Sequence, residues 1–280
     1  MKTGSFLGLG PRGFHRVAYV EWGVAVAPRT VLCVHGLTRN GRDFDRLASV
    51  LSHRWRVVCP DVVGRGRSEW LTDPAGYAYP QYLADMAALI ARLDVGAVDW
   101  IGTSMGGIIG MMLAAQPRSP IRRLVVNDVG PFIPKAALSR IAAYVGLDPK
   151  FESVGDLEAH LRKVHEPFGA LTDGDWRHLA LQGYRRLESG QFGLAYDPGI
   201  AQAFKGEIAD VDLWPVWDAI ACPVLVLRGA ASDLLLAETA AEMTRRGPKA
   251  ELLEIAGAGH APALTSSEQI AAVREWLADD

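Results

Sequence analysis

The stretch that most limits how this chain can fold runs from Val98 through Asp99, Trp100, Ile101, Gly102, Thr103, Ser104, Met105 and Gly106 to Gly107, with Ile108 to Ala115 behind it. The β-branched and aromatic residues before Gly102 read as a short buried strand. The Met/Leu/Ala run after Gly107 is long enough and rich enough in helix formers to be a buried helix. Ser104 sits at the join. A strand that passes straight into a helix leaves little room for Cβ atoms in the turn, which is what Gly102 and Gly106 provide. Such a turn aims the Ser104 hydroxyl beyond the strand end and leaves the Met105 N–H free at a helix N-terminus, where it stabilises negative charge. A glycine-rich turn that merely contains a serine has the same five letters, so the rest of the chain must decide between them.

The 280 residues suffice for a sizeable core, and 49% hydrophobic with 22% charged content is ordinary for a globular chain. A formal net charge of −3 with no cluster of Lys and Arg argues against nucleic acid and anionic membranes as partners. No long apolar run follows Met1 to Phe6, so neither a signal peptide nor a membrane span is expected and the address is cytoplasmic. Cys33, Cys59 and Cys222 lie in or beside runs of Val and Leu; their odd number speaks against a disulfide framework and for small apolar strand residues. No Cys/His spacing suggests a metal site. Monomer and homodimer are both compatible with the chain.

Taken in order, Phe14 to Trp22 is an early antiparallel strand, with a shorter one over Phe6 to Leu9. Thr30 to Val34, Trp55 to Cys59, Val98 to Ile101 and Leu124 to Val126 are apolar runs separated by helical patterns, one of them carrying Tyr82, Met86, Leu89 and Leu93 on a single face. This alternation predicts an α/β fold, a mostly parallel sheet of about eight strands with helices on both faces. Between 131 and 213 the rhythm changes to helical patterns without a strong strand run, and nine Lys/Arg stand against twelve Asp/Glu. It resumes at Val224 to Leu227, with a last strand at Glu251 to Ile255 and a final helix opened by Thr265 to Glu268 as a capping box. The expected division is a core of residues 1–130 and 214–280 and an inserted helical cap of residues 131–213.

Ser104 can now be set beside His35-Gly36, Pro60-Asp61 with its glycine loop, Asp233, and Gly257-Ala258-Gly259-His260. Together, and over nearly the whole chain, these resemble the α/β-hydrolase superfamily, in which nucleophile, acid and histidine follow successive strands in that chain order. The resemblance implies Ser104 as nucleophile and His260 as the base that takes its proton and returns it to the leaving group. For the carboxylate that orients the imidazole it implies Asp233, after the strand that usually carries the acid, with Asp128 as the alternative. It also implies an oxyanion site made by the backbone N–H groups of Leu37 and Met105. His35, Asp61, Gly64 and Gly66 then read as loop architecture. His15, His53, His160, His165 and His178 are expected at the surface or in the cap. Thr38, Arg39 and Asn40 either meet a polar group of the substrate or form a solvated loop.

The resulting expectation is a serine hydrolase that cleaves a carboxylic ester of a small, largely apolar molecule through an acyl-enzyme, with no cofactor. Cleavage of a C–C bond, a lactone or a thioester uses the same residues. A small-molecule receptor on the same fold is the reading from another class.

Overall fold

Eight strands form one sheet in the computed structural model, which describes residues 1–24 and 27–279. In chain order they are β1 (Lys2–Gly10), β2 (Gly13–Trp22), β3 (Thr30–Val34), β4 (Arg56–Pro60), β5 (Val98–Thr103), β6 (Ile121–Asn127), β7 (Val224–Gly229) and β8 (Glu251–Ile255). They lie side by side as β1-β2-β4-β3-β5-β6-β7-β8. The β1–β2 and β2–β4 pairs are antiparallel, and every later pair is parallel. The mostly parallel eight-stranded sheet expected from the alternation is therefore present.

The central strands are apolar throughout because both faces are covered. Leu32 and Val34 of β3, Val58 of β4 and Leu124 and Val126 of β6 belong to one core. Their neighbours Val31, Cys33, Val57, Cys59 and Val125 belong to the other. On the second face lie α1 (Asp45–Leu51) and, much later in the chain, a helix whose Ile270, Val273, Trp276 and Leu277 close that core. On the first face lie α2 (Tyr79–Leu93) and α3 (Met105–Ala114), whose Met86, Leu89, Ile109 and Met111 are fully buried. Cys33 and Cys59 are the small buried strand residues expected of them, whereas Cys222 is only half-buried.

Strand β1 is longer than its hydrophobic pattern suggests, since it pairs with β2 along its whole length. The pattern is interrupted because glycine stands where neighbouring side chains cross the strand. A Cβ on Gly4 would lie 2.4 Å from the Tyr19 ring, and one on Gly8 2.3 Å from Asp85 Oδ1.

The chain between β6 and β7 adds no strand to this sheet among the described residues. It holds α4 (Lys135–Ala142), α5 (Val154–Val164) and α6 (Asp173–Gln182), the last two opened by capping boxes at Ser153 and Thr172. It also holds short strands absent from the sequence reading. Phe132–Ile133 pairs with Val211–Asp212, and Tyr184–Arg186 with Phe192–Leu194. Pieces of two or three residues are too short to show a period. The first pair joins the two ends of the segment, and the Leu213 N–H donates to Pro131 O at 2.6 Å beside it. The remaining helices are α7 (Trp214–Asp218), α8 (Ala237–Met243) and α9 (Ser267–Ala278). The cap of α9 sits one residue later than expected, with the Gln269 N–H donating to Ser266 Oγ. No described helix is long and apolar enough to cross a membrane.

Candidate active site

The turn between β5 and α3 is built as its glycines require. A Cβ on Gly102 would stand 2.2 Å from Gly106 O, and one on Gly106 only 2.0 Å from Val34 O, so an alanine at either position collides with backbone. Ser104 itself adopts φ 52, ψ −115, a strained backbone for an L-residue, held by its N–H donating to Asn127 O and its carbonyl accepting from Gly107 and Ile108. Gly36 brings the loop after β3 alongside, its would-be Cβ 3.8 Å from that of Ser104. The oxyanion candidates Leu37 and Met105 therefore flank the serine, Met105 at the first position of α3, where an N–H has no intrahelical acceptor.

His260 follows β8, and its Nε2 lies 3.0 Å from Ser104 Oγ. Its Nδ1 lies 2.8 Å from Oδ2 of Asp128, a fully buried residue at the end of β6. The expectation that Asp233 would meet the imidazole is corrected here. Asp233 is 51% exposed and takes a bidentate pair from Arg140 of α4, at 2.6 and 2.8 Å. The physical reason lies in the two strand ends. Asp128 takes φ 55, a left-handed turn that carries its carboxylate under the neighbouring loop, where Oδ1 accepts from the Gly229 N–H at 2.7 Å and Oδ2 from the Ser232 hydroxyl at 2.6 Å. Gly229, the last residue of β7, and Ser232 in the loop after it thus donate to Asp128. Ser232 was missed by sequence reasoning and has no motif of its own.

Asn127 ties these parts together, donating to Thr103 Oγ1 at 3.1 Å and to Pro262 O at 2.8 Å, one on each side of the Ser104–His260 contact. From the insertion, Pro167 O accepts from the Gly259 N–H at 2.7 Å.

His35 is wholly buried and structural. Its Nδ1–H donates to Gly36 O at 2.7 Å and its Nε2 accepts from the Val62 N–H at 2.9 Å, so only the neutral ring satisfies both partners. Burial pushes its pKa down to about 4. Between pH 4 and the ordinary value of 6.5 the unfolded chain takes up a proton that the folded one refuses, so stability falls as pH drops through that window. His35→Gln should flatten the acid limb of the stability profile by about 1.4 kcal/mol per pH unit, read by denaturant unfolding of both proteins between those limits. An unchanged difference between them would mean that His35 is not the titrating group.

Two cavities meet at Ser104, both touching Leu37 and Ile141. The wider, about 750 Å³, is lined largely by apolar groups such as Met105, Ile108, Val129, Leu138 and Leu234. The narrower, about 70 Å³, contains Thr38, Arg39, His165 and His260. Of the loop residues left open by the sequence, Asn40 is occupied, accepting from the Arg42 N–H and donating to Gln182 O. Arg39 lies 94% buried beneath the insertion, so it is not part of a solvated loop. His165 lies within residues 131–213, as expected, and is buried there; His15, expected at the surface or in the cap, is instead buried between β2 and α2 with its Nε2 3.0 Å from each Asp85 oxygen.

A fold of this topology carrying a serine and a histidine on these two turns has relatives. Residues 31–273 match the alpha/beta hydrolase family. The chain belongs to it. It is accordingly a hydrolase. It is 50% identical over 281 residues, covering 96% of this chain and 95% of the other, to a 3-hydroxybutyrate-oligomer hydrolase of Cupriavidus necator. A 2-(acetamidomethylene)succinate hydrolase of Mesorhizobium japonicum is 31% identical, over 82% of this chain and 81% of its own. Among solved structures, an alpha/beta hydrolase of Novosphingobium aromaticivorans superimposes with a TM-score of 0.88 at 38% identity, covering 98% of both chains.

Arg65 also escaped the sequence reading, which treated its glycine loop as a turn. It is fully buried, and among the described residues no carboxylate pairs with it. Its Nε donates to Leu37 O at 2.9 Å and its Nη1 to Val63 O and Tyr82 OH, and it lies over the rings of Tyr77 and Tyr82. An arginine between two glycines carries no sequence signal for such a place.

Proposed function

We propose that the protein is a serine hydrolase of carboxylic esters, and that its substrates are short oligomers of hydroxy acids. The observation that carries the first part is the continuous chain from Asp128 through His260 to Ser104, at 2.8 and 3.0 Å. In this reading Ser104 Oγ attacks the ester carbonyl while His260 Nε2 takes its proton. The oxyanion that forms is met by the N–H groups of Leu37 and Met105, and Arg65, bonded to the Leu37 carbonyl, keeps that loop in place beneath it. The C–O bond to the alcohol then breaks, and His260 hands its proton to the departing oxygen. Water repeats the cycle on the acyl-enzyme and releases the acid and free Ser104. Asp128 holds the imidazole with Nδ1 protonated throughout, itself fixed by Gly229 and Ser232. Every step uses groups of the chain and water, so no cofactor enters.

The second part is supported by the relative named for 3-hydroxybutyrate oligomers, whose likeness spans both chains nearly end to end. The apolar lining of the wide cavity suits an aliphatic acyl chain. Residues 131–213 act as a cap over the core of 1–130 and 214–280 and, through Leu138 and Ile141, shape that chain's site.

Mixing the protein with p-nitrophenyl butyrate and quenching early should trap a butyryl group on the Ser104 peptide by mass spectrometry, with repeated turnover in parallel. The dimeric ester of 3-hydroxybutyrate should yield monomer. Turnover with the acyl group on another residue, or no turnover of either ester, would overturn the reading.

A further inference from the structure

The two cavities at Ser104 are not equivalent. His260 lines the narrow one and is absent from the lining of the wide one. Because the departing alcohol takes its proton from His260, it has to lie on the imidazole side, which places the alcohol in the narrow cavity and the acyl chain in the wide apolar one. At about 70 Å³ the narrow cavity is about a tenth the volume of the wide one, which suits it to the smaller of the two products.

Its walls hold two polar side chains, each more than nine-tenths buried, with donors that the fold leaves unused. Arg39 is 6% exposed; Nε and Nη2 donate to Asp43 at 2.9 and 2.7 Å, while Nη1 has no acceptor among the described residues. His165 is 7% exposed, stacked on Phe168 with ring centroids 4.5 Å apart, and neither ring nitrogen has a hydrogen-bond partner among the described residues. Burial, aided by the charge of Arg39, pushes the His165 pKa well below the ordinary value, so the ring is neutral and offers one N–H. Both side chains also border a smaller space of about 30 Å³ that runs on past Tyr144 and His160. These donor atoms are not sealed away from solvent, so each is free to meet an acceptor that a ligand brings.

The charges around the cavity nearly cancel: Arg39 is balanced by Asp43, Arg140 by Asp233, and the unpaired guanidinium of Arg65 beneath Leu37 is offset by the buried Asp128 carboxylate behind His260. A guanidinium N–H and an imidazole N–H on one wall, two donors with no acceptor between them, fit a carboxylate.

We propose that Arg39 and His165 bind the carboxylate of the departing hydroxy acid, so that the enzyme trims ester oligomers from their carboxyl end, one hydroxy acid for each acyl-enzyme formed. The assignment rests on the serine-esterase reading and adds to it the direction of cleavage and the charge of the alcohol. Nothing beyond water is consumed: the alkoxy oxygen leaves with the proton of Ser104 and keeps its carboxylate unchanged.

The test compares the 3-hydroxybutyrate dimer as free acid, as its terminal carboxamide and as the free acid acetylated on its hydroxyl, with p-nitrophenyl butyrate as an ester lacking the terminal group. Wild-type protein should prefer the acid to the carboxamide by about 10- to 100-fold in kcat/KM, the range of a charge-assisted hydrogen bond, and should tolerate acetylation. Arg39→Gln and His165→Phe should each lower that acid-to-amide ratio. In a trimer isotopically labelled at its carboxyl-terminal unit, labelled monomer should appear first. Equal cleavage of acid and carboxamide by wild type, or loss of turnover on acetylation instead, would overturn the carboxylate site while leaving the esterase reading standing. Failure to cleave p-nitrophenyl butyrate and every dimer would overturn both.

Discussion

Replacing Ser104 by alanine is expected to lower kcat on a 3-hydroxybutyrate dimer by about 10⁴- to 10⁶-fold while leaving the fold in place. The substitution removes a single oxygen, whose hydrogen-bond partner is His260 Nε2, and the backbone strain at φ 52 is the same for alanine as for serine. The loss should therefore fall on kcat, with substrate still held by the two cavities. Steady-state kinetics together with a thermal unfolding curve would check it. Retention of substantial turnover by a folded variant would remove Ser104 from the mechanism.

Asp128→Asn should cost kcat about 10⁴-fold, and Asp233→Asn little. With an amide at position 128 the ring is driven to the tautomer that carries its proton on Nε2, where it can no longer accept from Ser104. The same amide directs a donor toward the Gly229 N–H or the Ser232 hydroxyl, both of which now donate to the carboxylate, so some stability is lost as well. Asp233→Asn breaks an ion pair with Arg140 whose partners are 51% and 40% exposed, and exposed pairs contribute about 0–1 kcal/mol. A large loss of kcat from Asp233→Asn with little from Asp128→Asn would restore the acid that the family resemblance first suggested.

The difference between these two aspartates shows where the sequence stops being informative. Both follow a strand, the strands are neighbours in the sheet, and both precede His260, so chain order allows either. The choice rests on a positive φ at Asp128 and on Ser232 occupying the place that Asp233 would otherwise need. Neither has a periodicity or a composition that can be read in advance. Arg39 is a similar case. Its position after His35-Gly36 is compatible with a solvated loop, and only the packing of the segment between β6 and β7 buries it. The short strands at 132–133 and 211–212 escaped because two residues carry no period, although their pairing joins the two ends of the segment between β6 and β7.

What the sequence determined by itself is local or ordered along the chain. Glycines at 102 and 106 allow the tight strand-to-helix turn around Ser104 that Cβ atoms would crowd. Continuous apolar runs separated by amphipathic helices can bury themselves only as a parallel sheet covered on both faces. What only the tertiary structure decided is everything that depends on which loops end side by side: the partner of His260, the unused donors of Arg39 and His165, and the side of Ser104 on which His260 stands. Those contacts join residues as far as 132 and 156 positions apart, and their geometry is set by backbone turns and packing that no local pattern encodes.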